Sequence, residues 1–390
     1  MNKHSLDHIL TCHPIKKTDI VRGENTDLYS KDGSKIIDFE AGMWCTALGH
    51  CHPRINRVII EQINKIMNIH YKLTPDIAEI LAVNLLEQFH FQDGKATFLS
   101  SGSEAVALAM RISKLISESG KMLTFSTSYL STFSNTSPPR DKNLWVEVDF
   151  LQCSHCEKKE CTHGCNLLKH IDFSNISTFV LEPATCGRVL FPPYPLIQFL
   201  TNEIKKYGGI IVANEVTTGL GRAGTWFGYQ HYDIEPDIVA LGKALGNGYP
   251  ISAVVMKKEI ADRVERKNFY YAQSHQNDPL GCTIANEVIT IMKEDHIIDR
   301  SRDLGEYFLD QLKEIQKNSL IIKNIRGRGL MLAVELTIDH AAEIISEKML
   351  EEGYFVGAVP AWNTLRFSPA LTISKNDIAG MCKVLKHVLM

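Results

Sequence analysis

The sequence is poor in the features that mark membrane, secreted and nucleic-acid-binding proteins. None of its uninterrupted apolar runs approaches the roughly 20 residues that a membrane-spanning helix needs. The first ten residues, MNKHSLDHIL, show neither a long apolar core nor a small-residue cleavage site, so no signal peptide is predicted. The formal net charge of −3 argues against nucleic acid or an anionic membrane as the main partner. Ten cysteines among 390 residues do not make a secreted disulfide scaffold, and we expect a cytoplasmic protein.

What the sequence does contain is an alternation of apolar strands and amphipathic helices. Four short, bounded apolar runs are typical of buried parallel strands: KMLTF, STFVLE, GIIVAN and PDIVAL. Helical spacing occurs between Ile55 and Met67 and again in PLGCTIANEVITIMKE and SRDLGEYFLDQLKEIQK. The strand-like LMLAVEL and the closing TLRFSPALTI come after those helices. This order predicts an α/β fold with a smaller α+β part toward the C-terminus.

One apolar run, residues 210–214, leads into a glycine string at residues 219–224. The string matches the GxGxxG pattern of dinucleotide-binding folds. That pattern requires a helix to begin within the glycines, whereas the following TWFGYQHYDIEPD is aromatic and broken. The next apolar run is followed by GKALGNGYP rather than by a ribose-binding acid. A nicotinamide or flavin site is therefore not predicted here.

A lysine and a small-residue turn suggest a different kind of site. Lys243 lies between an apolar run and a glycine-rich turn, where burial depresses the pKa of an amine and makes it nucleophilic. Residues 101–104, Ser-Gly-Ser-Glu, bring backbone N–H groups to a predicted helix start, where anions bind readily. Each feature also has an ordinary interpretation, as a solvated lysine and as a helix cap. Together they favour a nucleophilic lysine that faces a phosphate-binding cradle.

Sequence motifs along nearly the whole chain resemble those of the class III aminotransferases and occur in the same order. The matching segments are GMWCTALGHCHPRI, SSGSEAVALAMRISK, LEP, NEVTTGLGRAGTWFG, PDIVALGKALGNGYPISAV, SHQNDPLG, IRGRGLMLAVEL and LRFSPALTI. The most specific block joins the strand end, the glycine–arginine turn and the lysine, with Lys243 29 residues after Asn214. The family depends on pyridoxal 5′-phosphate (PLP) and includes ornithine, acetylornithine and ω-amino-acid aminotransferases and glutamate-1-semialdehyde aminomutase.

The resemblance implies the PLP-dependent transferase fold of type I. In this fold a large domain with a mostly parallel central sheet is joined by a smaller α+β domain built from the N- and C-terminal segments. We expect residues 1–52 in the small domain, 53–295 in the large PLP-binding domain and 296–390 in the C-terminal small domain. The resemblance also implies a homodimer that acts on small molecules, an amino donor and a 2-oxo acid acceptor.

The resemblance assigns the cofactor's aldehyde and phosphate to particular residues. Lys243 is expected to form the internal aldimine and then to move the proton between the substrate Cα and the cofactor C4′. Ser101, Gly102 and Ser103 would bind the phosphate of the cofactor. Ser274, in the place of a family threonine, would reach the phosphate in the neighbouring subunit.

Three further residues are assigned to the cofactor ring. Tyr129 would stack on the pyridine ring, although the His and Gly that follow it in the family are replaced here by Leu130 and Ser131. Val216 would pack on the opposite face of the ring. Glu182 would lie near the ring hydroxyl.

Substrate contacts are expected from one tryptophan and two arginines. Trp44, in GMWC, would line the pocket, or else is an ordinary core tryptophan. Arg366 matches the C-terminal arginine that holds a substrate carboxylate, for which a planar bidentate donor is suited. Ornithine-type relatives neutralise this arginine with an acid whose place is taken here by Gly187. Arg366 is therefore expected to be free for a carboxylate, with Arg188 as a second contact.

Asn214 departs from the family pattern at the position expected to face the pyridine nitrogen. The family has Asp there, and its carboxylate keeps the nitrogen protonated, which makes the ring a strong electron sink. A neutral amide cannot stabilise that charge in the same way. Three hypotheses remain open: a natural variant with weakened transamination, an engineered inactive form, or an enzyme with altered chemistry such as a racemase.

A cysteine-rich insert at residues 153–165 also lies outside the family pattern. Its CxxC–x4–CxxxC array, with His155 and His163 interleaved, suits a closed tetrahedral zinc site formed by Cys153, Cys156, Cys161 and Cys165. The alternative is a polar insert with incidental cysteines. A zinc ion here would be structural, because PLP chemistry does not need it.

We therefore predict a PLP-dependent aminotransferase that moves an amino group between an amino acid or ω-amino compound and a 2-oxo acid. One alternative is a class III epimerase or aminomutase that retains the amino group. Another is a PLP-binding protein with weak or no turnover, which the amide at Asn214 favours.

Overall fold

The computed structural model describes residues 18–117, 120–133, 136–153, 156 and 159–389, together with residues 8, 10 and 12. Its strands are β1 (Ile20–Glu24), β2 (Asp27–Ser30), β3 (Lys35–Asp38), β4 (Lys95–Leu99), β5 (Lys121–Phe125), β6 (Trp145–Val148), β7 (Ile176–Leu181), β8 (Ile210–Asn214), β9 (Ile238–Leu241), β10 (Ser252–Met256), β11 (Ile322–Arg328), β12 (Met331–Leu336), β13 (Tyr354–Phe355), β14 (Gly357–Val359) and β15 (Thr364–Phe367).

The helices of the described part are distributed along the whole chain. They are α1 (Ala41–Trp44), α2 (Pro53–Ile63), α3 (Asp76–Phe89), α4 (Gly102–Ile116), α5 (Tyr194–Lys206), α6 (Lys258–Arg266), α7 (Pro279–Glu294), α8 (Ile297–Gln316), α9 (Ala341–Glu351) and α10 (Lys375–Val388). None of these helices combines the length and the apolar composition of a transmembrane segment.

A seven-stranded sheet in the order β4-β10-β9-β8-β7-β5-β6 forms the centre of the large domain. β10 runs antiparallel to β4 and β9, and the remaining neighbours are parallel. β7, β8 and β9 are buried along their whole length because helices cover both faces of the sheet. Successive residues point to opposite faces, so Val180 and Val212 pack with α4, whereas Phe179 and Ile211 pack with α5. The predicted α/β class is confirmed.

Two smaller four-stranded sheets are built from strands near the ends of the chain. Their orders are β1-β2-β3-β13 and β11-β12-β15-β14. In the first, β13 pairs in parallel with β3, so the C-terminal part adds a strand to the N-terminal sheet. The boundaries predicted at residues 52 and 295 fall just before α2 and between α7 and α8, and they stay predictions.

The element α1 is a left-handed turn that follows β3. Residues 41–44 have φ values of 46°, 54°, 64° and 68°, and the Trp44 N–H donates to the Glu40 carbonyl at 2.8 Å. A left-handed conformation costs an L-residue roughly 1–2 kcal/mol. Asp38 supports the turn, because its carboxylate accepts from the N–H groups of Glu40 at 2.8 Å and Gly42 at 2.9 Å. The chain therefore holds a strained turn in place with a buried acid.

Candidate active site

Lys243 lies two residues beyond β9, at the start of a 3₁₀ turn (Lys243–Gly246). Its φ of 41° is unusual for a residue with a side chain. The Nζ donates to Thr217 Oγ1 at 2.8 Å and lies 5.1 Å from the centre of the Trp44 ring. Burial lowers the pKa of the Lys243 amine below the ordinary lysine value. This setting raises the neutral, nucleophilic fraction of the amine.

The N-terminus of α4 presents backbone donors close to the end of the sheet. Ser101 caps the helix: its Oγ accepts from the Glu104 N–H, and the Glu104 carboxylate accepts from the Ser101 N–H at 2.9 Å. Within the described residues, no acceptor pairs with the N–H groups of Gly102 and Ser103. The Ser103 Oγ accepts from the Thr132 N–H at 3.1 Å. Two free N–H groups at a helix start form an anion-binding cradle.

Asn214 and Glu182 hold the peptide of Tyr129 from two sides. The Asn214 Nδ2 donates to the Tyr129 carbonyl at 3.1 Å, and its Oδ1 accepts from the Val216 N–H at 3.3 Å. Glu182 accepts from the N–H groups of Tyr129 at 2.9 Å and Cys186 at 3.3 Å. Burial raises the pKa of Glu182 to about 7. The position of Tyr129 is thus fixed although the family's His and Gly are replaced.

Two glycines let the helix start and the strand ends approach each other. A Cβ on Gly102 would lie 2.5 Å from Val216 Cγ1, and a Cβ on Gly242 would lie 3.2 Å from the Gly102 Cα. Val216 therefore packs directly against the start of α4, next to the residue that precedes Lys243. The sequence-predicted residues Gly102, Val216 and Lys243 are brought together.

Arg366 is not free, and the prediction of a free arginine is wrong. Its Nε donates to Glu40 Oε1 at 3.0 Å, and its Nη2 donates to Glu40 Oε2. The two side chains are 8% and 5% exposed, and the residues are 326 positions apart. Gly187 takes the place of the acid that neutralises this arginine in ornithine-type relatives. Here Glu40, from the N-terminal segment, pairs with Arg366 instead. This pairing puts a buried carboxylate where a substrate carboxylate was expected.

Trp44 lies beside both cations of the site, whereas Arg188 packs on Trp362. The Arg366 Cζ is 4.3 Å from the centre of the Trp44 ring, and the ring is 3% exposed. The Trp44 Nε1 is buried without a hydrogen-bond partner in the part of the chain that is described. Arg188 stacks on Trp362 at 3.8 Å, and its buried Nε and Nη1 have no partner among the described residues.

The geometry has clear counterparts among known proteins. The family model for class III aminotransferases matches residues 12–389. The chain belongs to the class III aminotransferase family. As a member of that family it is a PLP-dependent enzyme that transfers an amino group between an amino compound and a 2-oxo acid.

Individual relatives support the same conclusion. An acetylornithine aminotransferase of Archaeoglobus fulgidus is 28% identical over 374 residues, which cover 95% of each chain. A succinylornithine transaminase of Photorhabdus laumondii is 27% identical and covers 95% of this chain and 93% of its own. The structure of an S-selective transaminase from Bacillus megaterium matches 99% of this chain and 96% of its own, with a TM-score of 0.88 and 23% identity. The fold of type I is confirmed, and the epimerase alternative is not favoured.

The residues of this aminotransferase fit PLP. A partly buried lysine with a lowered pKa suits an aldehyde, and the unpaired N–H groups of Gly102 and Ser103 suit a phosphate. The Tyr129 side chain is 47% exposed and so presents a ring that a flat cofactor can contact. These features belong to separate parts of the chain and meet at one end of the central sheet.

Ser274 of the aminotransferase stands apart from this cluster. It is exposed, and its carbonyl accepts from Asn68 Nδ2 at 3.0 Å. Among the described residues, no contact joins it to Lys243 or to the start of α4. Its role at the phosphate of a neighbouring subunit stays a prediction.

The structure gives no support to the predicted zinc site in the cysteine insert of the aminotransferase. Burial, followed by the neighbouring thiols Cys161, Cys156 and Cys165, raises the pKa of Cys153 to about 11. Across the described residues, no three His, Cys, Asp or Glu side chains converge as metal ligands. His163 pairs with Glu203 at 3.2 Å, and His155 lies outside the described residues. The structure thus gives no support to metal binding by Cys153, Cys156, Cys161 and Cys165.

Sequence reasoning missed two groups that contact the predicted site residues. Thr217 follows Val216 directly, and its hydroxyl accepts from Lys243. Glu40 lies between Phe39 and Ala41 in the segment DFEAG. An acid among apolar and small neighbours is the signal that marks a buried charge pair.

Proposed function

We propose that Lys243 is the residue of this aminotransferase that binds PLP covalently and transfers the donor's proton. The observation that carries the proposal is the setting of its amine, which is partly buried, has a lowered pKa and donates to Thr217 at 2.8 Å. When bound, PLP supplies an electron sink for the carbanion left after a proton is removed from the amino-bearing carbon. Lys243 would take that proton and return it.

The start of α4 is proposed to bind the cofactor phosphate. The N–H groups of Gly102 and Ser103 supply two donors, and the positive end of the helix dipole favours an anion there. Ser101 contributes by fixing the first turn through its reciprocal bonds with Glu104. In a homodimer, Ser274 of the second chain would add a hydroxyl to this phosphate.

The ring of the cofactor is proposed to lie between Tyr129 and Val216. Asn214 uses one N–H for the Tyr129 carbonyl and keeps a second N–H for the pyridine nitrogen. An N–H donor favours the unprotonated nitrogen, so the electron sink is weaker than it would be beside a carboxylate. Glu182, with a pKa raised to about 7 by burial, would lie near the ring hydroxyl.

The substrates are proposed to be an amino acid or ω-amino compound and a 2-oxo acid. Trp44 would line the pocket, because it lies beside both Lys243 and Arg366. Arg366 would receive the carboxylate of the oxo acid, and Arg188 has two unpaired nitrogen atoms for a second contact among the described residues. A zinc ion takes no part in this proposal.

We also propose that two copies of the chain form the functional unit. An exposed apolar patch lies near Ser274 and consists of Ile60, Ile63, Ile66, Met67, Leu73 and Tyr270. Tyr270 bonds to Tyr71 at 3.1 Å, and Asn68 bonds to the Ser274 carbonyl, so the two segments run together. Contiguous exposed apolar side chains are typical of a surface that another protein covers.

Chemical trapping tests the assignment of Lys243. PLP-loaded protein reduced with borohydride should carry the mass of the cofactor on the peptide that contains Lys243, and Lys243→Ala should lose both this mass and the visible absorbance. Lys257→Ala, which changes another lysine near the same sheet, should keep both. A label on any other lysine overturns the assignment. A panel of amino donors with pyruvate or 2-oxoglutarate then tests whether an amino group is transferred.

A further inference from the structure

The side-chain amine of Lys243 has one hydrogen-bond partner among the described residues, the hydroxyl of Thr217. The Nζ donates to Thr217 Oγ1 at 2.8 Å, and the two residues are 26 positions apart. The backbone of Lys243 is fixed by its 3₁₀ turn, but a lysine side chain is flexible up to its amine. The bond to Thr217 is therefore the hydrogen bond that gives this amine a fixed place.

The chain holds Thr217 in position through the residues on either side of it. The buried Glu215 carboxylate accepts from the Thr218 hydroxyl at 2.6 Å. It also accepts from the N–H groups of Gly228 at 2.8 Å and Tyr229 at 2.7 Å, which ties the segment to the following turn. Thr217 itself is 8% exposed, and a β-branched side chain is stiff at χ1. The hydroxyl that meets the amine is thus fixed before the amine arrives.

A hydroxyl suits this contact better than a carboxylate would. Its oxygen accepts an N–H from the amine in both the charged and the neutral form, and a neutral amine then keeps its lone pair for a proton. A carboxylate in the same place would stabilise the charged amine, which has no lone pair to offer. The carboxylate of Glu182 acts on Lys243 through its charge, but it accepts from the N–H groups of Tyr129 and Cys186.

The ionisable groups that face Lys243 come from several elements. They are two thiols, a carboxyl and a guanidinium: Cys186, Cys45, Glu182 and Arg366. Burial has the largest effect on the pKa of Lys243 and lowers it; the first three groups oppose this decrease, and the guanidinium adds to it. A hydroxyl that accepts from the amine favours the charged form. Loss of the Thr217 hydroxyl should therefore lower the pKa of Lys243 further.

We infer that Thr217 is the positioning residue of the Lys243 amine. Whenever the amine is not bound to the cofactor, the hydroxyl holds it in one place and leaves its lone pair free for the donor's proton. The inference rests on the proposed function for the role of Lys243 in proton transfer. It makes an unusual prediction: without the hydroxyl, the amine is neutral to a lower pH but transfers the proton more slowly.

Labelling of the free amine tests the contact without turnover. Full-length protein freed of cofactor is treated with trace acetic anhydride over a range of pH, and mass spectrometry measures acetylation of the peptide that contains Lys243. Thr217→Val keeps the shape of the side chain but removes the hydroxyl, so the pH of half-maximal labelling should fall by at least about half a unit. Thr217→Ser keeps the hydroxyl and should stay within about 0.2 units of the unmodified protein.

Thr201→Val is the matched control for the loss of a buried hydroxyl. Thr201 is 5% exposed, and its hydroxyl has no partner among the described residues. The same substitution there breaks no bond to the amine, so the labelling curve should match that of the unmodified protein. Thr217→Ala removes the hydroxyl in a second way and should repeat the result of Thr217→Val, which keeps the test decisive if the valine variant does not fold.

The half-reaction with an amino donor reports the position of the amine. In PLP-loaded Thr217→Val, the absorbance change of the cofactor should be about tenfold or more slower, because a small displacement of a reacting group is costly. The isotope effect of a donor deuterated at the reacting carbon should rise, since proton transfer becomes slow relative to the other steps. Thr217→Ser should restore most of the rate. Weaker PLP binding or lower stability alone would leave the isotope effect unchanged.

The two measurements separate this inference from the proposed function. If no donor reacts with the unmodified protein while the labelling shifts in Thr217→Val and not in Thr217→Ser, the proposed reaction falls and Thr217 still positions the amine. If donors do react, an unchanged rate or an unchanged labelling curve in Thr217→Val overturns the inference. A Thr217→Ser variant that behaves like Thr217→Val overturns it as well, because the hydroxyl would then be unimportant.

Discussion

At the scale of single residues, the amide of Asn214 has a structural partner as well as a chemical effect. Its N–H donates to the Tyr129 carbonyl, a bond that an ionised carboxylate cannot make. The same residue ends β8, and we propose that it faces the pyridine nitrogen of the cofactor. On this proposal, the amide makes the ring a weaker electron sink than a carboxylate would, but it adds a hydrogen bond that holds Tyr129.

Asn214→Asp should speed the reaction of bound PLP with an amino donor by about tenfold or more. The reason is that a carboxylate beside the ring nitrogen stabilises its protonated form, and each ~1.4 kcal/mol of carbanion stabilisation is tenfold in rate. Stopped-flow absorbance of the cofactor measures this single half-reaction. Asn214→Ala, which supplies neither charge nor donor, is the matched control. A rate that stays the same or falls across the donor panel would favour a chemistry that retains the amino group.

Two buried carboxyls should make stability depend on pH. Burial raises the pKa values of Glu182 and Glu215 to about 7, whereas a glutamate in the unfolded chain has a pKa of about 4.3. Between these values the folded state binds more protons than the unfolded chain, so the free energy of unfolding falls as the pH rises from about 4.5 to 7. Glu215→Gln should remove about 1–3 kcal/mol of that fall, as measured by urea unfolding at a series of pH values. An unaltered slope in this variant would contradict the raised pKa.

At the scale of elements, the start of α4 can pack against the end of the sheet only because residue 102 is a glycine and has no side chain. Val216 Cγ1 occupies the space that a Cβ on Gly102 would need, and valine has little rotamer freedom with which to retreat. The N–H groups proposed for the phosphate lie at this contact. If the phosphate binds as proposed, packing and cofactor binding are coupled at this contact.

Gly102→Ala should weaken PLP binding by about tenfold or more and lower the free energy of unfolding by about 1–3 kcal/mol, as overpacking does. Both follow because the helix start must move away from Val216. Equilibrium dialysis with PLP and urea unfolding of the apo form measure the two effects. Gly187→Ala provides the control, since a Cβ there meets nothing within 4 Å. Equal behaviour of the two variants would show that the close contact is unimportant.

Local sequence patterns predicted many of the helices and strands. They did not predict contacts between segments that lie far apart in the chain. The segment PLGCTIANEVITIMKE is α7 from its first residue to its last, because proline at the start and regular apolar spacing define a helix locally. β10 was not predicted as a strand, and its antiparallel course depends on β4 and β9. The Glu40–Arg366 pair joins residues 326 positions apart, and no local spacing encodes such a contact.

At the scale of the whole molecule, the exposed apolar patch and Ser274 lie in one region. The patch residues are between 42% and 68% exposed, so each presents apolar surface on a single chain. An isologous contact between two copies would cover both patches at once. Each Ser274 would then be positioned to serve the site of the other chain.

The protein should sediment as a dimer, and the double variant Met67→Glu with Leu73→Glu should sediment as a monomer with weakened PLP binding. Charges in the patch oppose its burial, and separation removes the partner's Ser274 from each phosphate. Leu320→Glu is the control, because Leu320 is 97% exposed and outside the patch. Sedimentation velocity with a PLP absorbance trace reports both quantities. A monomer with full cofactor occupancy would rule out the shared site.

The left-handed turn has a consequence for hydrogen exchange. Because several of its residues sit in an unfavourable conformation, its opening releases strain and so needs less free energy than opening of the neighbouring β3. The amides of Trp44 and Thr46, which donate to the Glu40 and Ala41 carbonyls, should exchange faster than their burial alone would suggest. The exchange rates of these two amides would then report openings of the turn that leave β3 intact.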